Sequence, residues 1–138
     1  MKIKKYLIGI LLLIGISLCL NACVYDRGLV LFNSEPITKQ NVTNDKKVFK
    51  AGDRVYYLFI APEKMSNEFI RVQIFKMTDK APWGGNEVVR TKDYRLMNSE
   101  RYYHTNYFVL HEKGRYVLQV FSHDDFQHPL ALNDFYIQ

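Results

Sequence analysis

Beyond position 23 the sequence has no cysteine; its only two, Cys19 and Cys23, lie in or at the edge of an apolar N-terminal stretch. The body of the chain therefore has no disulfide, thiolate metal site or thiol nucleophile, and its core alone must stabilise it. Charge of one sign is equally scarce. The formal net charge of +5 owes much to Lys2, Lys4 and Lys5, and Lys46-Lys47 is the only adjacent basic pair further on. Without a basic patch there is no electrostatic case for a nucleic-acid partner. Catalytic signatures are missing as well: no G-x-S-x-G elbow, H-E-x-x-H, P-loop or G-x-G-x-x-G occurs, so no enzyme is expected. Helical periodicity is absent except for one possible turn at Glu63 to Asn67. Internal repeats and low-complexity tracts are absent too.

What is there begins with Met1-Lys2-Ile3-Lys4-Lys5, a short basic segment, followed by an uncharged apolar run from Tyr6 to Leu20. At about 15 residues this run has the length of a signal-peptide core. Leu20-Asn21-Ala22-Cys23 then resembles the bacterial lipobox: an aliphatic residue, a tolerant position, a small residue, a cysteine. The resemblance implies recognition of Leu20, Asn21 and Ala22 by the lipoprotein signal peptidase and removal of residues 1–22. It further implies a diacylglyceryl thioether and an N-acyl chain on Cys23, a membrane partner held through that lipid, and no other cofactor. Val24 stands where aspartate would resemble an inner-membrane retention signal. In a Gram-negative cell that implies the outer membrane, and otherwise the outer face of the plasma membrane. Two alternatives stay open, an uncleaved helix from Tyr6 to Val24, about 19 residues and long enough to span a bilayer, and plain secretion.

The remainder divides into a polar segment, 23–47, read as a lipidated tether with one early strand at Leu29 to Phe32, and a strand-rich body, 48–138. In Phe69 to Lys76, Ile70, Val72 and Ile74 alternate with Arg71, Gln73 and Lys76, the period of a half-buried strand. Further strands are expected at Arg54 to Ile60, Glu87 to Thr91, Tyr102 to Leu110, Arg115 to Phe121 and Leu130 to Ile137. About seven short strands separated by turns predict an all-β fold, a single antiparallel β-sandwich, with a small barrel as the alternative. Gly114-Arg115-Tyr116-Val117-Leu118-Gln119-Val120 resembles the penultimate strand of immunoglobulin-like and fibronectin-like domains. The resemblance implies a tyrosine corner, in which the Tyr116 hydroxyl bonds back to the preceding loop while Leu118 and Val120 enter the core.

Aromatic residues are in surplus, at 14% of the chain. Adjacent pairs such as Tyr56-Tyr57, Tyr102-Tyr103 and Tyr107-Phe108 must put one ring of each pair on the outer side of a strand. Tyr102, Tyr103 and Tyr107, with Trp83 in a Pro-Gly-Gly turn, are therefore candidate contact residues, since tyrosine and tryptophan suit partly buried contact surfaces. The plainer reading is cross-strand pairing that stabilises the sheet. His123, Asp125 and His128 are the best candidates for metal ligands, yet in a loop beside Pro129 they are equally a polar turn, and no metal is expected. His104 and His111 would join them only if the fold brought them together. The function expected is a non-enzymatic binding or accessory module of the cell envelope with a protein partner. A protease-inhibitor-like sandwich and a periplasmic metal-binding protein are the alternatives.

Overall fold

A computed structural model describes residues 27–78 and 85–138. Its strands are β1 (Leu29–Asn33), β2 (Val48–Phe49), β3 (Arg54–Ile60), β4 (Phe69–Met77), β5 (Asn86–Arg95), β6 (Tyr103–Val109), β7 (Gly114–Ser122) and β8 (Ala131–Ile137). A 3₁₀ turn at Asn98–Glu100 is the only helical element among the described residues. Two sheets form, one in the order β1-β3-β6 and the other β2-β8-β7-β4-β5. The expected all-β sandwich is therefore present, and the separate sheets exclude a closed barrel.

The alternation read from the sequence sets which side chains meet between the sheets. Val55, Tyr57 and Phe59 of β3, Ile70, Val72 and Ile74 of β4, and Tyr116, Leu118 and Val120 of β7 are all buried. Each large apolar side chain taken out of water contributes roughly 1.5–3 kcal/mol. Phe135 of β8 sits at the centre, stacked on Tyr116 at 5.6 Å and packed against Phe32 at 4.9 Å and Phe108 at 5.3 Å. Its neighbours belong to both sheets, so this one ring holds the layers together.

The tyrosine corner is present. The Tyr116 hydroxyl donates to the Glu112 carbonyl at 2.6 Å, a bond worth roughly 1 kcal/mol net. Gly114 starts β7 with a φ of +153°, and the Lys76 side chain lies so close that a Cβ there would meet its Cε at 2.9 Å.

Four differences from the sequence expectations have physical causes. Eight strands form rather than seven, because β2 adds a short parallel pairing to β8, Val48 opposite Tyr136 and Phe49 opposite Ile137. The early strand is part of the body and not of a tether. As β1 it pairs with β3 from Leu29 opposite Ile60 to Asn33 opposite Tyr56, and Val30 and Phe32 reach the core. β5 runs longer than Glu87 to Thr91. Opposite Ile70, Val72 and Ile74 it carries Tyr94, Lys92 and Arg90, and those cations break the apolar alternation that would have revealed it. The possible helical turn at Glu63 to Asn67 does not form: Met65 is buried, and its N–H donates to the Arg101 carbonyl at 2.9 Å.

The strand directions define two ends. Gly28 and the loops 61–68, 96–102 and 123–130 gather at one end, and 34–47, 50–53 and 110–113 at the other.

Candidate functional site

The outer faces of the two sheets differ chiefly in charge: the five-stranded sheet mixes ion pairs with the exposed Phe69, Val88, Leu132 and Tyr136. On the five-stranded sheet, Arg71 grips Asp93 through two hydrogen bonds of 2.8 and 3.0 Å, and Arg115 holds Asp134 at 2.9 Å. The Arg71 guanidinium keeps the Asp93 carboxyl below its ordinary pKa. Gln73 donates to Thr91 at 3.2 Å between them. Charges paired among themselves under solvent leave little for a partner to satisfy.

The three-stranded sheet carries almost no charge outside. Its register aligns Leu29, Ile60 and Tyr103 in one row, Leu31, Leu58 and Thr105 in the next, and Asn33, Tyr56 and Tyr107 in the third. Arg54 opposite Val109 completes the face and is its only charged residue; its guanidinium lies 5.0 Å from the centre of the Tyr107 ring, a cation–π contact. Leu29, Tyr103 and Tyr107 are exposed, and Leu31, Tyr56, Leu58 and Ile60 half-buried. Tyr56 and Tyr107 pack at 5.5 Å, their hydroxyl-bearing rings forming one ledge.

Of the contact residues expected from sequence, Tyr103 and Tyr107 lie on this face. Tyr102, just before β6, is exposed at the sandwich end. Trp83 lies outside the described residues, as do Leu20, Asn21, Ala22 and Cys23. The aliphatic residues of the face had a signal in the sequence. From Val55 to Ile60 every position is apolar, so both sides of that strand had to be apolar, and only one side can face the core.

His123 is not drawn together with Asp125 and His128 into one ligand cluster. His128 Nδ1 is 2.9 Å from Asp125 Oδ2. That ring and the Gln127 and His128 N–H groups hold the Asp125 carboxyl below its usual range. His123 turns away, packing on Phe69 at 5.7 Å and Phe126 at 5.3 Å, with Nε2 3.2 Å from Asp93 Oδ2 and without good hydrogen-bond alignment. Among the described residues no three His, Cys, Asp or Glu side chains are grouped to hold a metal ion. His111 is at the far end near Gly52. Beside the histidine loop a cleft of about 390 Å³ is lined by residues that include Arg27, Pro62, Met65, Asp125, His128 and Leu130.

His104 is instead a core residue. Its ring packs 4.5 Å from Tyr94 and 6.0 Å from Tyr57, and neither ring nitrogen has a hydrogen-bond partner among the described residues. The buried Tyr57 hydroxyl lies near Tyr94 without a well-aligned hydrogen bond among the described residues, and burial pushes its phenol pKa up. The adjoining notch, about 10 Å³, has room for one water at most. Burial lowers the His104 pKa below 6.5; Glu100 opposes the shift and Lys92 adds to it. The unfolded chain thus takes up the proton more readily than the folded one. Stability should be full above pH 6.5 and fall as the pH drops through that value towards the folded-state pKa. Melting scans from pH 7.5 to 5 should show the decline for the wild type and a flatter profile for His104→Phe. Parallel profiles would mean that another group carries the dependence.

No family model matches the chain, and no curated protein sequence matches it. Among solved structures it is similar to an immunoglobulin-like protein from Pseudomonas aeruginosa, with a TM-score of 0.50 and 14% identity over 80% of this chain and 93% of that one. An alkylpurine DNA glycosylase from Pseudomonas fluorescens, solved with DNA containing an abasic-site analogue, matches 79% of this chain and 30% of its own at 12% identity. Its TM-score of 0.39 carries no argument. The sheet order, the tyrosine corner and the Pseudomonas aeruginosa likeness together define an immunoglobulin-like β-sandwich, and at such identity the likeness speaks for the fold alone.

Proposed function

We propose that this chain is a lipoprotein of the cell envelope, anchored through Cys23, whose immunoglobulin-like body binds a protein partner and catalyses nothing. The outer membrane is its location in a Gram-negative cell, and the outer face of the plasma membrane otherwise. The observation that carries the binding reading is the contrast between the two outer faces. One intersperses its apolar side chains with internal ion pairs; the other offers Leu31, Leu58, Ile60, Tyr56, Tyr103 and Tyr107 as an unbroken surface with Arg54 as its sole charge. An apolar, tyrosine-rich surface rimmed by one arginine has the composition of an interface centre.

A photo-crosslinker at Leu58, in membranes of the native host, is expected to yield one discrete adduct. The same probe at Gln119, on the outer face of the five-stranded sheet, is expected to yield none. Leu58→Asp would bury an unpaired carboxylate under the partner and should weaken capture at least about tenfold, equivalent to 1.4 kcal/mol. Because residue 58 is half-buried between Leu31 and Thr105, capture is compared below the unfolding transition of each protein, read from its own melting curve. Equal labelling from both faces, or capture indifferent to Leu58→Asp, would refute this assignment.

A further inference from the structure

We infer that the end of the sandwich formed by the loops 96–102 and 123–130 rests on the bilayer, with Met97, Tyr102 and Phe126 set into the headgroup region. This inference rests on the anchored reading of Cys23 and adds to it which part of the body touches lipid. Its first support is chain length. Gly28 is locked into this end: its N–H donates to the Leu130 carbonyl at 2.8 Å, and a Cβ there would run into the Ile60 carbonyl and lie 3.1 Å from Pro62 Cδ. β1 begins at the next residue. Only Val24, Tyr25, Asp26 and Arg27 separate the lipidated residue from that fixed point. At full extension this leash spans at most about 18 Å, whereas β7 alone is about 30 Å long at 3.3 Å per residue. The far end cannot swing round to the membrane on so short a connection.

The second support is what the near end exposes. Met97 is 68% exposed, Tyr102 55% and Phe126 46%, with Leu29, Phe69 and Tyr103 around them. Loop tips ordinarily carry small or polar residues. Among the described residues the loops of the opposite end come closer to that rule: Ser34, Glu35, Lys39, Gln40, Asn44, Glu112 and Lys113 are exposed and polar, and the exposed apolar side chains there, Val48 at 39% and Met77 at 36%, lie in strands and not at loop tips. Phe126 is also held in place, with the Arg71 guanidinium 4.4 Å from its ring centre and His123 against its edge. An amphipathic tyrosine ring suits the depth of the headgroups.

The charges at this end indicate which kind of contact it makes. Arg27, Lys64, Arg95 and Arg101 are outnumbered by Glu63, Glu68, Glu100, Asp124 and Asp125, and Glu68 pairs with Arg95 at 3.4 Å and with Arg101 at 4.0 Å. With no net basic surface, attraction to anionic lipid contributes little. The contact is apolar, and should be indifferent to lipid charge and to salt.

The body's lack of cysteine permits a direct test. Met97→Cys, Phe126→Cys and, as the far-end reference, Lys113→Cys are prepared in the mature lipidated chain and labelled with an environment-sensitive fluorophore. Each is reconstituted into phosphatidylcholine vesicles, with flotation measured on the same samples. Labels at 97 and 126 should brighten at least twofold, shift to the blue and be quenched by spin-labelled lipid, in high salt as in low; the label at 113 should do none of these. A chain that floats with the vesicles while all three labels behave alike overturns the inference and spares the anchor. Signals that appear only with anionic lipid at low salt overturn it too, in favour of electrostatic docking. A chain that does not float overturns the anchored reading and this inference with it.

Discussion

Phe135→Ala is expected to destabilise the protein by about 3–5 kcal/mol. The ring is wholly buried, and truncating it removes contacts with Phe32 and Phe108 of one sheet and with Phe49 and Tyr116 of the other. The hole cannot close by local collapse, because its walls are strands fixed by their own ladders. A domain of this size has only about 5–15 kcal/mol of stability in all. The change should lower the thermal midpoint by roughly 15–25 °C, read from urea and thermal unfolding followed by circular dichroism. Phe126→Ala removes the same atoms from an exposed position and should cost only about 0.5–1.5 kcal/mol, the worth of its contacts with Arg71 and His123. If the two variants melted together, the core would not be centred where the rings converge.

The second large effect is all-or-none. Cys23→Ser should abolish acylation, seen as loss of incorporated palmitate, and leave the chain at precursor length with residues 1–22 still attached. The thioether needs the Cys23 sulfur, and since each buried methylene contributes about 0.8 kcal/mol, losing two or more acyl chains removes stable attachment. Intact-mass measurement of the wild type supplies the control, because a lipidated chain begins at Cys23 with the added mass of its acyl groups. An uncleaved anchor from Tyr6 to Val24 would instead begin at Met1, carry no acyl group and be indifferent to Cys23→Ser. That result would remove the lipoprotein reading.

Much of this architecture was legible because an inward-facing apolar residue at every second position is what a sandwich requires. Ile70, Val72 and Ile74 announced β4, and Gly114 with Tyr116 announced both a turn and the strand that follows it. The shortfalls have a common cause: they depend on partners distant in sequence. β2 has two residues, too few for any period, and exists because β8 offers it a parallel neighbour. β5 puts Arg90 and Lys92 in register with core residues of β4, which an edge strand tolerates because its inward side opens to water. β1 looked like a polar leader because it is short and followed by the loop 34–47, although Asp45 Oδ1 accepts from the Phe32 N–H at 2.8 Å and draws that loop back along the strand. For the candidate site, Tyr103 and Tyr107 were accessible to reasoning about adjacent aromatics. Leu31, Leu58 and Ile60 were not assigned, because alternation says that a side points outward and not whether anything covers it. His104 is the converse case, a polar residue that reads as a possible ligand and is packed among aromatic rings.

The wiring of the first strands has a consequence for how the molecule comes into being. Val30 accepts a hydrogen bond from Asn133, Gly28 reaches Leu130, and Val48 lies beside Tyr136. β1 can pair with β3 early, but these three links wait until nearly the last residue has been made. Pairings so distant in sequence form slowly, over milliseconds to seconds, and they close the sandwich only once β8 is available. The core around Phe135 is accordingly the last part of the molecule to be completed.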